Sequence, residues 1–265
     1  MAKPLILPAL TVALLCGCAG GSSQGRPDAA QVARIDRALS HAPGAAQPGI
    51  VVAAEIALAR TTREQGQWAA WRASMAAGAV IDAGDGPVDA ATWLAGRAEP
   101  PQPDGRGTRA VWMSCDVTVA ISRGRYQDAE GAIGTYITIW QRQPQGDYRW
   151  SYDSRAIDDP QPDAVAADGS GESVIVVTAD DLIQGRVADC PKPDAPVPPI
   201  PPRVIATGAL SGSGKSPDST LSWAWESRPD GVRILSIDYY RDGAWQDALR
   251  QRLPDDTAGQ EGRGR

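Results

Sequence analysis

Apolar residues are spaced as in helices over the first part of the chain. They recur three and four positions apart, which predicts helices over residues 50–63, 67–77 and 88–96. In the second of these, Trp68 and Trp71 share one side of the helix. The segment is therefore amphipathic, and we expect its helix to pack its aromatic side against another layer.

The period of the pattern changes to two after a Gly- and Pro-rich loop over residues 96–107. Alternating apolar residues predict a strand over residues 117–122, and β-branched and aromatic residues predict another over residues 136–140. The turn sequence Pro144-Gln145-Gly146 then leads into a return strand over residues 148–152. Helices followed by an antiparallel meander indicate an α+β fold.

Loops and further strands are predicted for the second half of the chain. Residues 158–172 are acidic and punctuated by Gly and Pro, which predicts a loop, and residues 173–179 are a strand candidate. Seven prolines make residues 191–202 an extended connector. The segments 220–226 and 233–240, separated by Pro229-Asp230-Gly231, predict a second hairpin.

The two predicted hairpins share residues at a constant offset. Residues 135–153 and 220–238 have the same Thr, Trp, Pro, Gly, Ser and Asp at six equivalent positions. A duplication is one explanation. We favour convergence, because Pro-x-Gly suits many hairpins that contain a type I turn and a glycine bulge.

Residues 1–17 have the features of a bacterial lipoprotein signal peptide. Lys3 precedes a mostly apolar run that is too short to span a bilayer as a helix. The sequence Leu15-Cys16-Gly17-Cys18 resembles a lipobox, in which the small Gly17 precedes the cleaved bond and Cys18 carries the lipid. An ordinary secretory signal that contains cysteines is the alternative.

A lipid on Cys18 predicts a protein that binds a membrane through its anchor. Residues 18–48 are rich in Gly, Ser, Gln and Pro and predict a flexible tether, which contains the single histidine, His41. Ala19 follows the lipidated cysteine, and this residue favours the outer membrane, on the side facing the periplasm, over retention at the inner membrane.

Two further cysteines, Cys115 and Cys190, remain after removal of the signal peptide. An oxidising envelope compartment favours a disulfide between them. Two separate buried thiols are the alternative.

Composition excludes several classes of function. The chain has 265 residues with 42% hydrophobic and 22% charged residues, as is usual for a globular protein. Its net charge of -6 argues against nucleic-acid binding. One histidine is too few for a His-based metal site, and residues 82–86 do not fit the EF-hand calcium pattern. The acidic loop is expected to be solvated, and chelation of a hard cation is the alternative. We therefore expect no metal and no other cofactor.

Residues 209–216, Ala-Leu-Ser-Gly-Ser-Gly-Lys-Ser, fit a loose nucleotide-binding P-loop pattern. A P-loop must open a helix, whose N-terminal amides hold phosphate. Here Pro217 and a strand-like alternation follow, so we predict a Gly/Ser loop between strands and no nucleotide binding.

Aromatic residues of the predicted meander are candidates for lining a pocket. Alternation places side chains on shared faces, where carboxylates at the strand edges could act as bases. The pocket candidates are Asp116, Tyr136, Trp140, Trp150, Tyr152 and Asp153. The alternative is that these aromatic residues fill a core against the helix that carries Trp68 and Trp71.

The order of these segments resembles the nuclear transport factor 2-like superfamily, in particular its SnoaL-like and ketosteroid-isomerase-like members. The resemblance covers residues 49–157 and is carried by the helices, a Trp-led strand over residues 112–121 and the segments 134–143 and 146–153. It implies a curved sheet that wraps around a long helix and leaves a conical pocket. Some members are isomerases, cyclases or dehydratases with an Asp base and Tyr or His acids, but this chain offers no matched acid and base pair and no histidine within the domain.

These observations lead to one preferred function and two alternatives. We expect an envelope lipoprotein whose SnoaL-like domain binds a small apolar ligand or a protein partner without catalysis. The alternatives are an isomerase- or hydrolyase-like enzyme that uses the cone pocket, and a purely structural envelope protein.

The predicted fold is α+β, with N-terminal helices on a curved, cone-like antiparallel sheet and additional C-terminal antiparallel strands. The expected organisation is a signal peptide (1–17), a tether (18–48), the cone domain (49–160), an acidic loop, strand and Pro-rich connector (161–202), a β-hairpin extension (203–253) and a flexible tail (254–265).

Overall fold

Two β-sheets and three helices form the part of the chain that the computed structural model describes. That part comprises residues 46–82, 84, 86–162, 182–192 and 194–253. The fold is α+β. A seven-stranded sheet lies between the helices on one side and a four-stranded sheet on the other.

The helices begin and end where the sequence supplies the matching residues. They are α1 (Pro48–Gln65), α2 (Gln67–Ser74) and α3 (Ala90–Leu94). α1 has a proline in its first turn and stops at Gly66, whose φ of 98° is disfavoured for residues with a side chain. α3 is capped by Asp89, whose carboxylate accepts the Thr92 N–H at 2.8 Å.

Seven strands form the first sheet. They are β1 (Met75–Asp82), β2 (Pro87–Asp89), β3 (Gly105–Met113), β4 (Val119–Gln127), β5 (Ile133–Arg142), β6 (Tyr148–Ile157) and β7 (Gln184–Val187). Their order is β2-β1-β6-β5-β4-β3-β7. The expected sheet was purely antiparallel, but β1 pairs with β6 and β3 with β7 in parallel, because long connections bring these strands together.

The second sheet is antiparallel throughout. It consists of β8 (Leu210–Lys215), β9 (Leu221–Ser227), β10 (Arg233–Arg241) and β11 (Ala244–Leu253) in the order β11-β10-β9-β8. The predicted hairpin around Pro229-Asp230-Gly231 is confirmed as β9 and β10. Residues 210–215 were expected to be a loop, and they form an edge strand instead.

Alternation along the strands of the first sheet supplies two separate cores. On the helix side, Trp140 and Trp150 pack with Trp71, Val51 and Leu58. A second core fills the space between the two sheets, and it contains Trp112, Ile121, Ile137, Ile139, Leu221, Leu235 and Ile237. The first sheet is therefore buried on both faces. This arrangement explains why nearly every residue of β5 is apolar or buried.

An ion pair joins the second sheet to the first, and a disulfide holds the start of the connector against the β3–β4 turn of the first sheet. The predicted disulfide between Cys115 and Cys190 is present. Arg233 on β10 forms an ion pair with Asp82 on β1 at 3.1 Å, and both side chains are at most 3% exposed. Tyr152 donates to the second oxygen of Asp82 at 3.1 Å. Since this buried charge pair bridges the sheets, loss of either partner would leave an uncompensated charge between them.

Two loops of the same sequence pattern meet where the sheets join. Residues 114–118 and 216–220 both read Ser-x-Asp-x-Thr, and each contains a residue with φ near 60° after its aspartate. The Asp116 N–H donates to the Asp218 carboxylate at 2.8 Å, and the Asp218 N–H donates to the Asp116 carboxylate at 3.1 Å. Each loop therefore stabilises the other.

Three predicted elements have different bounds. The helix expected over 67–77 ends at Ser74, where β1 starts. The Trp-led strand that the resemblance implied over 112–121 is two strands, because residues 114–118 form a tight turn between β3 and β4. The strand expected over 117–122 therefore begins at Val119, in β4. Of the helix expected over 88–96, residues 90–94 are helical and residues 87–89 form β2.

Several predictions lie outside the described residues. They are the signal peptide with Cys18, the tether up to residue 45 with His41, the strand candidate at 173–179, most of the acidic loop and the tail from residue 254. No helix in the described ranges is long and apolar enough to cross a membrane.

Candidate functional site

A buried polar network lies between α1 and the first sheet. We call it the helix-side network, and its members are Glu55, Arg106, Ser122, Tyr136, Thr138, Trp140 and Asp153. Ser122 donates to Glu55 at 2.5 Å, and the Trp140 indole donates to Ser122 at 3.0 Å. On the other side, Asp153 accepts from Thr138 at 2.6 Å and from Arg106 at 3.0 Å.

Strand geometry explains which side chains reach this network. On β5, alternation points Tyr136, Thr138 and Trp140 to the helix side, and Thr138 lies directly opposite Asp153 on β6. Gly124 on β4 makes room for Tyr136, because a Cβ there would lie 2.5 Å from the tyrosine ring and 2.3 Å from the Gly107 carbonyl oxygen.

Arg106 holds the network together by stacking as well as by its hydrogen bonds. Its guanidinium lies over the Tyr136 ring at 3.7 Å and near the Trp71 ring at 4.9 Å. Tyr136 in turn shares a hydrogen bond with Thr108 at 3.2 Å. The Arg106 Nε has no hydrogen-bond partner among the described residues. The cation is therefore held by its Nη2 atom and by aromatic faces.

Burial shifts the acid–base properties of this network. Desolvation raises the pKa of Glu55, and the nearby Arg106 charge opposes that shift. Burial also raises the pKa of Tyr136 well above its ordinary value, and the charge of Glu55 adds to this effect. The pKa of Arg106 is raised because the attraction of Asp153 and Glu55 outweighs its desolvation.

The network is closed to solvent. Glu55 is 5% exposed and Asp153 is 1% exposed, while Tyr136 has no exposed surface. A general base must come within hydrogen-bonding distance of its substrate. In this conformation, these groups contact one another, and among the described residues very little of their surface faces solvent.

Four of the six pocket candidates lie on the helix side of the first sheet: Tyr136, Trp140, Trp150 and Asp153. Tyr152 lies on the opposite face, in the core between the sheets, so its assignment to the pocket is wrong. A β-bulge is the cause. Ser151 is an extra residue opposite Ile139 and Trp140, and it turns Trp150 and Tyr152 to opposite faces.

Asp116 is the other candidate that the structure removes from the pocket. Its carboxylate accepts from Ser114 at 2.6 Å and from the Thr118 hydroxyl at 2.7 Å, and it also bonds the Asp218 N–H. These contacts belong to the paired loops that join the sheets. Asp116 is therefore a structural turn residue.

An open groove lies on the outer face of the second sheet. We call it the connector groove, because residues 201–205 at the end of the Pro-rich connector form one wall. The cavity has a volume of about 320 Å³. It is lined by Pro201, Pro202, Arg203, Val204, Ile205, Ala224, Trp225, Glu226, Ile234, Ser236, Asp238, Asp247 and Arg250.

Specific contacts hold the connector over this sheet. The Trp245 indole donates to the Pro198 carbonyl at 2.8 Å, and Arg203 forms an ion pair with Asp238. Further along, the Ala206 N–H donates to Glu226 at 3.1 Å. The Pro-rich segment crosses the sheet as an extended chain, and the groove opens between it and strands β9 to β11.

The groove combines apolar and charged surface. Val204 is 91% exposed at its rim and Ile205 is 40% exposed. Burial raises the pKa of Asp238, the Arg203 charge opposes that shift and the Asp247 charge adds to it. The volume and the lining of the connector groove are typical of sites that bind small molecules or the side chains of a partner.

Sequence reasoning did not identify Glu55, Arg106 or the connector groove as parts of a site. Glu55 was visible as a lone acid on the apolar side of α1, between Val51 and Leu58, and that position is the signal for a buried partner. Arg106 fell in a predicted loop. The prolines suggested a connector, but no local pattern indicates which sheet face an extended segment will cover.

Within the described ranges, no three His, Cys, Asp or Glu residues are placed to hold a metal ion. No family model matches the chain, and no curated protein matches it. Solved structures do match it. One is an NTF2-like protein of unknown function from Shewanella baltica OS155, with 14% identity and a TM-score of 0.34. The match covers 43% of this chain and 98% of that chain.

Proposed function

We propose that this chain is a lipid-anchored protein of the bacterial cell envelope that binds a protein partner through the connector groove and catalyses no reaction. The observation that carries the proposal is the contrast between two sites. The acid and base groups of the helix-side network are buried and bonded to one another, whereas the connector groove is open.

The first sheet and its helices serve as a scaffold of the SnoaL-like type in this proposal. Support comes from the order of the elements: two helices, a strand hairpin, a short helix and then a meander in which β6 returns beside β1. A conical pocket of this type would be filled here by Arg106, Tyr136 and Trp140. A filled pocket favours a protein partner over a small apolar ligand inside the cone.

The anchor is supported by the Leu15-Cys16-Gly17-Cys18 sequence and the apolar run before it. Ala19 favours the outer membrane, with the folded part facing the periplasm. Expressed in its host, the chain should partition into detergent with the membranes. Cys18→Ser should release it, and unchanged attachment of this variant would contradict lipidation.

One observation favours an enzyme as the second candidate. The pKa of Glu55 is raised, as it is in many general acids and bases. An isomerase or hydro-lyase would need the helices to open and admit a substrate to Glu55 or Asp153. Structural ion networks raise pKa values as well, so this observation ranks below the open groove.

Blocking the groove tests the proposed binding function. Ser236 lies on the groove floor in β10, and Ala57 lies on the exposed side of α1, outside the groove. Ser236→Trp should abolish crosslinked complexes of the anchored chain in intact envelopes, and Ala57→Trp should retain them. Complexes that survive Ser236→Trp would place the partner elsewhere.

A further inference from the structure

The side of α1 that faces water is apolar over its first turns. Ile50 is 48% exposed and Ile56 is 54% exposed. A surface helix ordinarily carries charged and polar residues on its outward side, whereas the first exposed polar residue of α1 is Arg60. We call the exposed residues before it the α1 face, and they are Gly49, Ile50, Ala53, Ile56 and Ala57.

β7 extends this apolar surface to the edge of the first sheet. α1 packs against β7, where a Cβ on Gly185 would lie 3.0 Å from Pro48. Ile183 directly precedes β7 and is 46% exposed. Exposed apolar patches on a folded protein mark sites of contact with a protein or a membrane.

The proposed tether joins the fold at the α1 face. The described chain begins at residue 46, two residues before α1, and residues 19–45 separate it from Cys18. A tether with the flexibility that its composition predicts has an r.m.s. end-to-end distance of about 30 Å over this span. A lipid on Cys18 would therefore keep the first turns of α1 close to the bilayer and at a high effective concentration there.

From the α1 face and its position at the end of the tether, we infer that this face docks on the lipid surface of the membrane that holds the anchor. The inference rests on the proposed function and specifies how the folded part is oriented at the membrane. Aliphatic side chains on one side of a helix enter the boundary between lipid headgroups and acyl chains. The α1 face has none of the Trp, Tyr or Arg side chains that dominate protein–protein interfaces, which favours lipid over a protein partner.

Docking of α1 turns the connector groove away from the bilayer. The first sheet lies between the helices and the second sheet, and the groove is on the outer face of the second sheet. A membrane beneath α1 therefore leaves the groove open to proteins of the periplasm.

Fluorescence of the lipidated full chain in vesicles of phosphatidylethanolamine and phosphatidylglycerol tests this orientation. With Cys18 acylated and Cys115 bonded to Cys190, Ile56→Cys supplies a single thiol for a nitrobenzoxadiazole label. Val204→Cys at the groove rim is the matched control. Nitroxide lipids in the bilayer should quench the label at position 56 and leave the label at position 204 unquenched. Since the α1 face carries no charge, high salt should not abolish this quenching.

Ile50→Asp should lower the equilibrium constant of docking about tenfold, because it removes aliphatic surface from the contact. Quenching at position 56 reports this loss, and the fold should be retained because Asp is favourable in the first turn of a helix. Val88→Asp is the control, since Val88 is 42% exposed in β2, at the opposite edge of the first sheet from β7. Equal quenching in these two variants would overturn the role of the α1 face.

The labelled chains also separate docking from anchoring. Equal quenching at positions 56 and 204, or quenching at neither, would overturn the inference and leave the anchor, which Cys18→Ser tests on its own. A blue-shifted label at position 56 that nitroxide lipids do not quench would show that a protein covers the α1 face, and would also overturn the inference. Loss of the chain from the vesicles would overturn the anchor and the inference together.

Discussion

Glu55 shows at the scale of one residue how burial creates a pH dependence. Its carboxyl is desolvated beneath α1, and its pKa in the folded chain is raised above the ordinary value. A carboxyl with a raised folded pKa favours folding most when it is protonated. As the pH rises past its ordinary pKa, the unfolded chain loses the proton first, and this favours unfolding.

We predict that Glu55→Gln stabilises the fold more at pH 7 than at pH 4. The amide oxygen can still accept the hydrogen bond from Ser122, and no charge has to be buried. Urea unfolding at the two pH values measures the effect, and Glu64→Gln on the exposed side of α1 is the control. An equal effect of Glu55→Gln at both pH values would contradict the account.

The limits of sequence reasoning are clearest at this scale. The alternation of side chains along a strand predicted that Tyr136 and Trp140 share one face of the sheet, and in the structure they do. The prediction for Tyr152 failed because one extra residue, Ser151, reverses the facing of the side chains beyond it. A single sequence gives no reliable signal for such a bulge. The partnership of Glu55 with Ser122 joins distant segments, so spacing along the chain could not reveal it.

The element that sequence patterns described least well is the edge strand β8. A Gly-rich stretch is weak as a strand, so residues 209–216 suggested a loop. The glycines serve close packing. A Cβ on Gly214 would lie 2.2 Å from the Trp223 ring, and one on Gly212 would lie 2.7 Å from the Trp225 ring. The P-loop pattern therefore arises from strand packing, and Pro217 and β9 leave no helix there to bind phosphate.

Gly214→Val should destabilise the fold by about 1–3 kcal/mol, because the added side chain overpacks against Trp223. Ser213→Val is the matched control. Its side chain lies on the exposed outer face of the same strand, where a β-branched residue favours the strand conformation. Chemical denaturation compares them, and equal stability of the two variants would refute the proposed role of the glycine.

Other elements were foreseen in proportion to the strength of their periodicity. α1 and the β9–β10 hairpin matched because long apolar patterns and a Pro-Asp-Gly turn are strong local signals. β1 was read as the end of a helix, since its Ala-Ala-Gly-Ala sequence has little strand preference. Its place in the sheet is set by parallel pairing with β6, which is a tertiary effect.

For the whole molecule, the account predicts that both sheets unfold together. The core between the sheets and the Asp82–Arg233 ion pair join them, and the Cys115–Cys190 bond fixes the start of the connector to the first sheet. We expect one unfolding transition by heat or denaturant. Reduction should lower its midpoint, because the disulfide joins residues 75 positions apart and the chain-entropy model allows up to about 4 kcal/mol for such a loop.

Calorimetry of the oxidised and reduced chain measures this prediction, and the double variant Cys115→Ala, Cys190→Ala controls for side effects of the reductant. Two separate transitions in the oxidised chain would show that the sheets fold as independent units. The same midpoint before and after reduction would show that the bond contributes nothing to stability.

At this scale, the sequence indicated an α+β fold with added C-terminal strands, but not how the second sheet is placed. That sheet covers the back of the first because both present apolar faces, such as Ile137 and Ile139 against Leu235 and Ile237. Binary patterning shows that these faces need cover. It does not show which face covers which, so the connector groove could not be foreseen.

The central claim is that a partner binds the connector groove and that the helix-side network only supports the fold. Site-specific photocrosslinking of the anchored chain in living cells tests it most directly, with a photoreactive residue in place of Val204 at the groove rim or of Ile56 on α1, both of which are exposed. The account predicts a crosslinked partner from position 204 that disappears when Ser236→Trp is added, and none from position 56. Crosslinks from position 56 alone, or crosslinks from position 204 that Ser236→Trp leaves unchanged, would contradict it.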